Sequence, residues 1–217
     1  MCFSATASFA AGAVLAVIGT ATMQRVSRPA EVAYAAIPAL FALQQFVEGG
    51  LWLTFPDKAP HLNSVLTHVY SFFSHVLWPI FVPLAVLLIE PDRWRRRIIG
   101  GIGGAGAVAV AGLYLLYFWG MDPTTSQVVD GHMLYISPHF FIRPILVLYI
   151  LGTCVSSLVS SHAAVRLFGL AASASLIAAY AFYAFWFISV WCFFAAIMSA
   201  TIFLYFRRDR RLYPGTL

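Results

Sequence analysis

Glu48 is an acidic residue inside a long apolar stretch of the sequence, residues 32–54. An ionisable group costs about 2.5–3.5 kcal/mol at the centre of a membrane helix, so it normally faces the inside of a helix bundle and indicates a site. Gln44, Gln45 and Trp52 recur around it at helical spacing and give this stretch one polar stripe. The stripe favours a functional site in which Glu48 is a metal ligand or a general base. The alternative is a polar clamp that ties helices together through hydrogen bonds.

A second polar stripe follows in the next apolar stretch. Its members, at i, i+4, i+7 and i+11, are Ser64, His68, Ser71 and His75. The helical rise separates His68 from His75 by about 10.5 Å along the axis, so both can bind one metal ion only if the helix breaks between them. The alternative is that they are buried hydrogen-bonding residues. We expect Ser71 level with Glu48, as a catalytic residue or as a hydrogen-bond donor to the site.

Two further candidates come from the region around residue 140. Arg143 lies near the start of a later apolar stretch, where a buried guanidinium needs a carboxylate or carbonyl partner. A Glu48–Arg143 ion pair therefore competes with catalytic roles for both residues. His139 could join His68, His75 and Glu48 as the ligands of a transition metal such as zinc. No HxxxH, HExxH or CxxC motif occurs, so the metal signal is weak.

The cysteines divide between two groups. Cys2 and Cys192 are expected towards the same face of the membrane, where they could form a disulfide or supply thiolates to a metal. Cys154 is expected to be a buried, inert thiol.

Composition determines the elements that must position these residues. The 217 residues are 61% hydrophobic and 10% charged, whereas a soluble domain carries about 25% charged residues. The apolar runs reach the length that crosses a bilayer as a helix. We therefore predict one all-α membrane domain over residues 1–217 with seven transmembrane helices. The spans are about 4–23, 32–54, 64–89, 98–119, 139–159, 167–185 and 188–206.

The basic residues predict the orientation of these helices. Eleven of the thirteen lie in alternate loops or in the C-terminal tail, around Arg25, Arg95, Arg166 and Arg208. The positive-inside rule then places the N-terminus outside and the C-terminus in the cytoplasm, in a bacterial inner membrane. Anionic lipid headgroups are the expected counter-charge, and no nucleic acid is needed to explain the net charge of +5.

Several short motifs carry a resemblance to known families. The opening MCFSATASF, the segments at 44–49 and 190–195, and Trp78-Pro79 resemble an uncharacterised bacterial family of small multi-pass membrane proteins. This resemblance implies the fold and the membrane location. Ser71-x-x-x-His75 is similar, more weakly, to a motif of the seven-helix hydrolases that include alkaline ceramidases, which use Ser, Asp and His around a zinc ion. The last apolar stretch here has no histidine, where those hydrolases have two.

Three functions remain open from the sequence. The first is a metal-assisted enzyme that acts on a lipid or lipid-linked substrate, with Glu48, Ser71 and Arg143 as catalytic residues. The second is a transporter or channel for a small solute or ion, against which the absence of an internal repeat weighs. The third is a non-catalytic binding or accessory subunit. A homo-oligomer is compatible with each.

Overall fold

The computed structural model of the protein is mostly helical and describes residues 4–55, 58–120, 124–136, 143–183 and 186–208. The helices before the central hairpin are α1 (Ala5–Met23), α2 (Val32–Leu53), α3 (Pro60–Phe72), α4 (Trp78–Ile89) and α5 (Arg93–Gly120). Those after it are α6 (Arg143–Ile150), α7 (Ser156–Val159), α8 (Ala163–Phe182), α9 (Phe187–Met198) and α10 (Ile202–Arg208). Within these ranges, the side chains are not described at residues 109–120, 143–146, 188 and 208.

Helix is present in each of the seven segments that the sequence predicts as spans. Within the described residues, five continuous helices are long and apolar enough to cross a membrane. They are Ala5–Met23, Pro29–Leu53, Pro60–Ile89, Ala163–Phe182 and Ser189–Arg207. These helices indicate a membrane protein. The seven-span topology and its orientation stay predictions.

Small residues bring α1 against α2. A Cβ added at Gly19 would lie 2.8 Å from the Ala39 backbone nitrogen, and one at Gly49 would lie 2.9 Å from the Phe9 ring. Glycine is therefore required at position 19, where a side chain would meet the backbone of α2, whereas a side chain at position 49 would displace the Phe9 ring.

Two π-helical segments interrupt the helices, and a proline that lacks a backbone donor follows the first of them. The segment Phe73–Leu77 joins α3 to α4, and Leu151–Val155 joins α6 to α7. Pro79 has no N–H for the carbonyl four residues before it, which explains the wider turn in the first segment. The two breaks meet, since a Cβ at Gly152 would lie 2.9 Å from the Pro79 carbonyl oxygen.

A β-hairpin occupies the segment between the predicted spans 98–119 and 139–159. Strands β1 (Thr125–Val129) and β2 (His132–Ile136) pair antiparallel, with Ser126 opposite Tyr135. Asp130 and Gly131 form the turn with φ of 49° and 72°. Positive φ at both central residues is the conformation that Asp-Gly favours in two-residue hairpins.

The core consists of two hydrophobic clusters. One contains hairpin residues Met133 and Tyr135 together with parts of α2, α3, α8 and α9. The other contains α4 and the opposite halves of α2, α8 and the last helix. We call these regions the hairpin end and the arginine end, because the loop after α1 carries Arg25 and Arg28 and the first turns of α5 and α8 carry Arg95 and Arg166.

Candidate functional site

Glu48 is completely buried at the hairpin end, where three distant segments of the chain meet. Its Oε1 accepts hydrogen bonds from the Tyr135 hydroxyl at 3.5 Å and from the Ser189 hydroxyl at 3.3 Å. Tyr135 comes from the hairpin and Ser189 from α9. A carboxyl group held by hydroxyls away from water can donate or accept a proton, which is the chemistry of a general acid or base.

The hairpin holds Tyr135 over Glu48 through contacts with α3. The Tyr135 ring stacks on Tyr70, with ring centroids 4.2 Å apart and planes only 2° from parallel. Opposite Tyr135, the Ser126 hydroxyl lies 2.8 Å from Thr67 Oγ1 and donates to Asn63 Oδ1 at 3.3 Å. The hairpin therefore covers the site as a fixed cap.

The turn of the hairpin is also held against aromatic side chains at the α8–α9 connection. The His132 ring centroid lies 4.9 Å from that of Trp186 and 5.7 Å from that of Tyr183. The cap thus contacts both sides of the bundle above Glu48.

A second pair of polar side chains, Gln44 and Cys192, lies one helical turn below Glu48, and we call it the second polar level. Gln44 precedes Glu48 by one turn on α2, and Cys192 follows Ser189 by one turn on α9. The two helices run in opposite directions, so Gln44 and Cys192 fall at the same depth, and the thiol lies next to the Gln44 side chain. Gln44 Oε1 accepts a 2.7 Å hydrogen bond from the Trp78 indole.

Several buried polar groups at this end have no oxygen or nitrogen hydrogen-bond partner among the described residues. They include both amide atoms of Gln45 and the hydroxyl oxygen of Ser71, whereas the amide nitrogen of Gln44 lies beside the Cys192 thiol. All three side chains are fully buried. Buried polar atoms are normally paired, so such a group calls for a ligand, a water molecule or a functional explanation.

The structure separates the two histidines of the predicted stripe. His75 is 1% exposed, and its Nδ1 lies 2.9 Å from the Ser71 carbonyl and 2.7 Å from Ser74 Oγ. His68 is half-exposed, and its Nδ1 lies 2.7 Å from the Ser64 carbonyl of its own helix. The wider π turn at Phe73–Leu77 follows His68 and changes the angular spacing, so ideal α-helical spacing did not describe this stretch.

The predicted metal ligands do not come together in the described part of the chain. Over residues 4–55, 58–120, 124–136, 143–183 and 186–208, no three His, Cys, Asp or Glu side chains are placed to hold a metal ion. His139 lies outside the described residues. Arg143 begins α6, but its side chain is not described, so the Glu48–Arg143 pair remains a prediction.

A narrow cavity lies below the second polar level. It is partly open and has room for only about one or two water molecules. Its wall is mostly apolar and includes Phe41, Trp78, Val82, Phe168, Trp191 and Cys192. Cys192 thus touches both the polar site and the cavity. Cys154 and Cys192 are buried free thiols, and Cys2 lies outside the described residues.

Tyr135, Ser189 and Tyr70 are the site residues that the sequence analysis missed. The signal for Tyr135 is present, because Asp130-Gly131 between two β-rich runs is a strong hairpin pattern. Ser189 lies in an apolar run in which serine is common, so its contact with Glu48 depends on the tertiary packing.

A different arrangement surrounds the buried carboxylate at the arginine end. Glu90 Oε2 accepts from Ser160 Oγ at 2.9 Å and from the Ser161 backbone N–H at 2.8 Å, and Oε1 accepts from the Asp92 backbone N–H at 3.2 Å. Burial alone would raise the pKa of Glu90, but these hydrogen bonds stabilise the anion and hold its pKa below the usual value. Glu90 therefore joins two loops as a structural anion.

The comparisons with known proteins identify a family without an assigned activity. The search of curated proteins and the search of solved structures each gave no match, so neither supports the similarity to ceramidase-like hydrolases. A family model, described as "Family of unknown function (DUF6629)", matches residues 1–216. The chain therefore belongs to the DUF6629 family, an uncharacterised family whose model covers nearly its whole length.

Proposed function

We propose that this protein is a membrane-embedded enzyme in which Glu48 acts as a general acid or base on a lipid or lipid-linked substrate. The observation that supports this most directly is the convergence of the Tyr135 and Ser189 hydroxyls on one wholly buried carboxyl group. A clamp between neighbouring helices would not need a residue from a separate hairpin. The hairpin also excludes water, which strengthens electrostatic interactions at the reacting group.

The polar groups of the candidate site lie towards one end of the helices, where Gln44, Glu48 and Ser71 are fully buried. Buried polar side chains, among them Glu90 and Ser160, also occur at the arginine end. A transporter or channel therefore stays an alternative to the enzyme, and solute flux in the vesicle assay tests it. By the charge-based orientation, the substrate would enter from the outer leaflet of a bacterial inner membrane.

A metal-assisted form of this reaction, with zinc or a similar ion, remains part of the proposal. It would need Glu48 and His75 to be completed by a residue outside the described segments, of which His139 is the candidate. Metal analysis of the purified wild type and of His139→Ala would test this addition. Bound metal that is lost in the variant supports it, whereas a metal-free active enzyme contradicts it.

The experiment for the proposed function is a lipid-turnover assay in vesicles. The purified protein is reconstituted with a total bacterial lipid extract, and the lipids are followed over time by mass spectrometry. We expect the wild type to consume at least one lipid species, and Glu48→Gln to slow that turnover by about 10²–10⁴-fold, the usual contribution of a general acid or base.

Asp130→Asn is the matched control for Glu48→Gln. It also replaces a carboxyl by an amide, but in the exposed hairpin turn, where Asn-Gly is as suitable as Asp-Gly. We expect wild-type turnover from it. No lipid change with folded wild type, or equal turnover by wild type and Glu48→Gln, would contradict the proposal. Solute flux through the same vesicles would instead favour a transporter.

A further inference from the structure

Three arginines at the start of α5 have no protein partner in the part of the chain that the structure describes. Arg93, Arg96 and Arg97 are exposed, and no hydrogen bond or ion pair between described residues involves their side chains. We call these three residues the α5 patch. Arg95, which lies between them, is used inside the protein, because its guanidinium donates to the Val159 carbonyl at 2.6 Å.

Other arginines at this end of the molecule also make contacts within the protein. Arg28 forms an ion pair with Glu31 at 2.8 Å. The Arg166 guanidinium donates to the carbonyls of Ser160 and Ser161 at 3.0 and 2.7 Å. The α5 patch is therefore different from a general excess of positive charge at the arginine end.

The acidic side chains nearest to the α5 patch in sequence are bound to other groups. Asp92 Oδ1 accepts from the Trp94 backbone N–H at 3.0 Å, and Asp92 Oδ2 lies 3.6 Å from Arg95 Nε. Glu90 accepts from the segment 160–161. Both carboxylates thus have partners outside the α5 patch, which leaves the patch available to an external anion.

The spacing of the α5 patch favours a phosphate group as this anion. Arg96 and Arg97 follow Arg93 by three and four residues, so the side chains are neighbours on the helix surface. Like charges at this spacing destabilise a helix, and an anion bound among them removes the repulsion. The planar guanidinium fork matches the oxygens of a phosphate group, to which it can donate two hydrogen bonds at once.

An open apolar surface continues directly from the α5 patch. The predicted span 98–119 begins after Arg97, and Gly101 and Gly104 follow on the same helix face at i+4 and i+7. Both glycines are exposed, and a Cβ added at either would meet no described atom within 4 Å. They lie about 6 and 10.5 Å further along the helix axis, inside the predicted hydrocarbon layer. Trp94, which is 58% exposed, lies at the level of the patch, where tryptophan is enriched at the membrane–water interface.

We propose that the α5 patch binds the phosphate headgroup of an anionic phospholipid whose acyl chain lies along Gly101 and Gly104. The arginines supply the counter-charge, and the two glycines leave the chain a surface without side chains. A soluble anionic partner would use the arginines but not the apolar surface that continues from them. By the predicted orientation, this lipid belongs to the cytoplasmic leaflet. The site lies at the arginine end, away from Glu48, so it does not depend on the proposed function.

Native mass spectrometry of the full-length protein in detergent tests the proposal with two lipids of identical acyl chains. Phosphatidylglycerol carries a net negative charge, whereas the choline group of phosphatidylcholine cancels the charge of its phosphate. We expect the wild type to bind its first phosphatidylglycerol about tenfold more tightly than its first phosphatidylcholine. Inorganic phosphate at the same concentration should not displace the lipid, because it has no acyl chain. This arm uses the wild type alone, so it does not depend on the folding of any variant.

A pair of double variants then locates the charge that binds the lipid. Arg93→Gln/Arg97→Gln should weaken phosphatidylglycerol binding about 30-fold, the usual contribution of two basic residues near an anionic surface. Lys58→Gln/Arg207→Gln is the matched control, because it also removes two exposed positive charges but none from α5. It should stay within about twofold of the wild type, since distant exposed charges are screened.

A pair of single variants tests the acyl surface. Gly101→Leu places a side chain on the open face below Arg97 and should weaken phosphatidylglycerol binding. Ala174→Leu makes a similar change at an exposed position of α8 and should leave binding unchanged. Melting temperatures of all variants in detergent show whether each has folded as the wild type does.

Three results would each overturn the lipid site. They are equal affinity of the wild type for the two lipids, equal weakening by the two double variants, and displacement of the lipid by inorganic phosphate. Equal affinity would leave the α5 patch to a soluble acidic partner, and displacement by phosphate would make it a site for a free anion. Equal binding by Gly101→Leu and the wild type would overturn the position of the acyl chain.

Discussion

Two buried carboxylates at opposite ends of the molecule differ in the kind of group that binds them. Glu90 is 1% exposed and Glu48 is 0% exposed, so burial does not distinguish them. Glu90 accepts from the backbone N–H groups of Asp92 and Ser161 in addition to the Ser160 hydroxyl. An N–H group can only donate, so this arrangement stabilises the anion and would oppose a protonated carboxyl.

The two hydroxyls that contact Glu48 suit both states of a carboxyl group. They belong to Tyr135 and Ser189 and lie 3.5 and 3.3 Å from Oε1. A hydroxyl can rotate to accept a hydrogen bond as readily as it donates one. The described contacts of the two carboxyl groups thus differ in donor type, which is backbone N–H and hydroxyl at Glu90 and hydroxyl at Glu48 Oε1. The following predictions test this difference.

The largest effect on stability is expected at Glu90. In the wild type, donor groups surround the Glu90 carboxylate. Glu90→Gln places the N–H₂ group of an amide, itself a donor, against these donors. We expect thermal or denaturant unfolding in detergent to show a loss of about 1.5–3 kcal/mol, the usual contribution of hydrogen bonds to a charged group. Glu48→Gln is the matched variant, and it should retain near-wild-type stability because an amide remains compatible with two hydroxyls. Equal destabilisation of the two variants would remove the distinction between them.

The stability that Glu90 contributes should depend on pH. The folded-state pKa of Glu90 is lowered from its usual value of 4.5, so its contribution is present above about pH 4.5. It is lost as the pH falls through the lowered pKa, when the carboxylate takes up a proton. The stability difference between wild type and Glu90→Gln should therefore be full at pH 7 and shrink below pH 4.5. A difference that stayed constant down to the acid unfolding of the wild type would show that the Glu90 anion is not its source.

The helices were more predictable from sequence than the site was. Long apolar runs and the charge pattern depend on local composition, which is why helix appears in all seven predicted segments. The inward position of Glu48 was also predictable from its type, because an ionisable residue in an apolar run is costly wherever the helices lie. Composition and residue type do not determine which side chains meet in the fold, so the function and the metal ligands stay predictions.

The partners of Glu48 could not be predicted because they depend on long-range packing. Ser189 lies 141 residues from Glu48 in the chain, and Tyr135 lies 87 residues away. Ser71, which we expect level with Glu48, stays a prediction, and the contact of α3 that no local pattern predicts is the stack of Tyr70 on Tyr135. A hairpin inserted between spans and a π turn after Phe72 both alter which faces meet.

The smallest expected effect concerns the hydroxyl of Tyr135. Tyr135→Phe removes one donor to Glu48 but keeps the aromatic stack on Tyr70, so the hairpin should remain in place. We expect a loss of stability of no more than about 1 kcal/mol and a decrease in lipid turnover of about fivefold, as for one neutral hydrogen bond. Tyr180→Phe, which removes a hydroxyl from an exposed tyrosine, is the control and should behave as the wild type. If Tyr135→Phe left turnover unchanged while Glu48→Gln abolished it, the hairpin would serve only to exclude water. A decrease that matched Glu48→Gln would instead show that the Tyr135 hydroxyl itself transfers the proton.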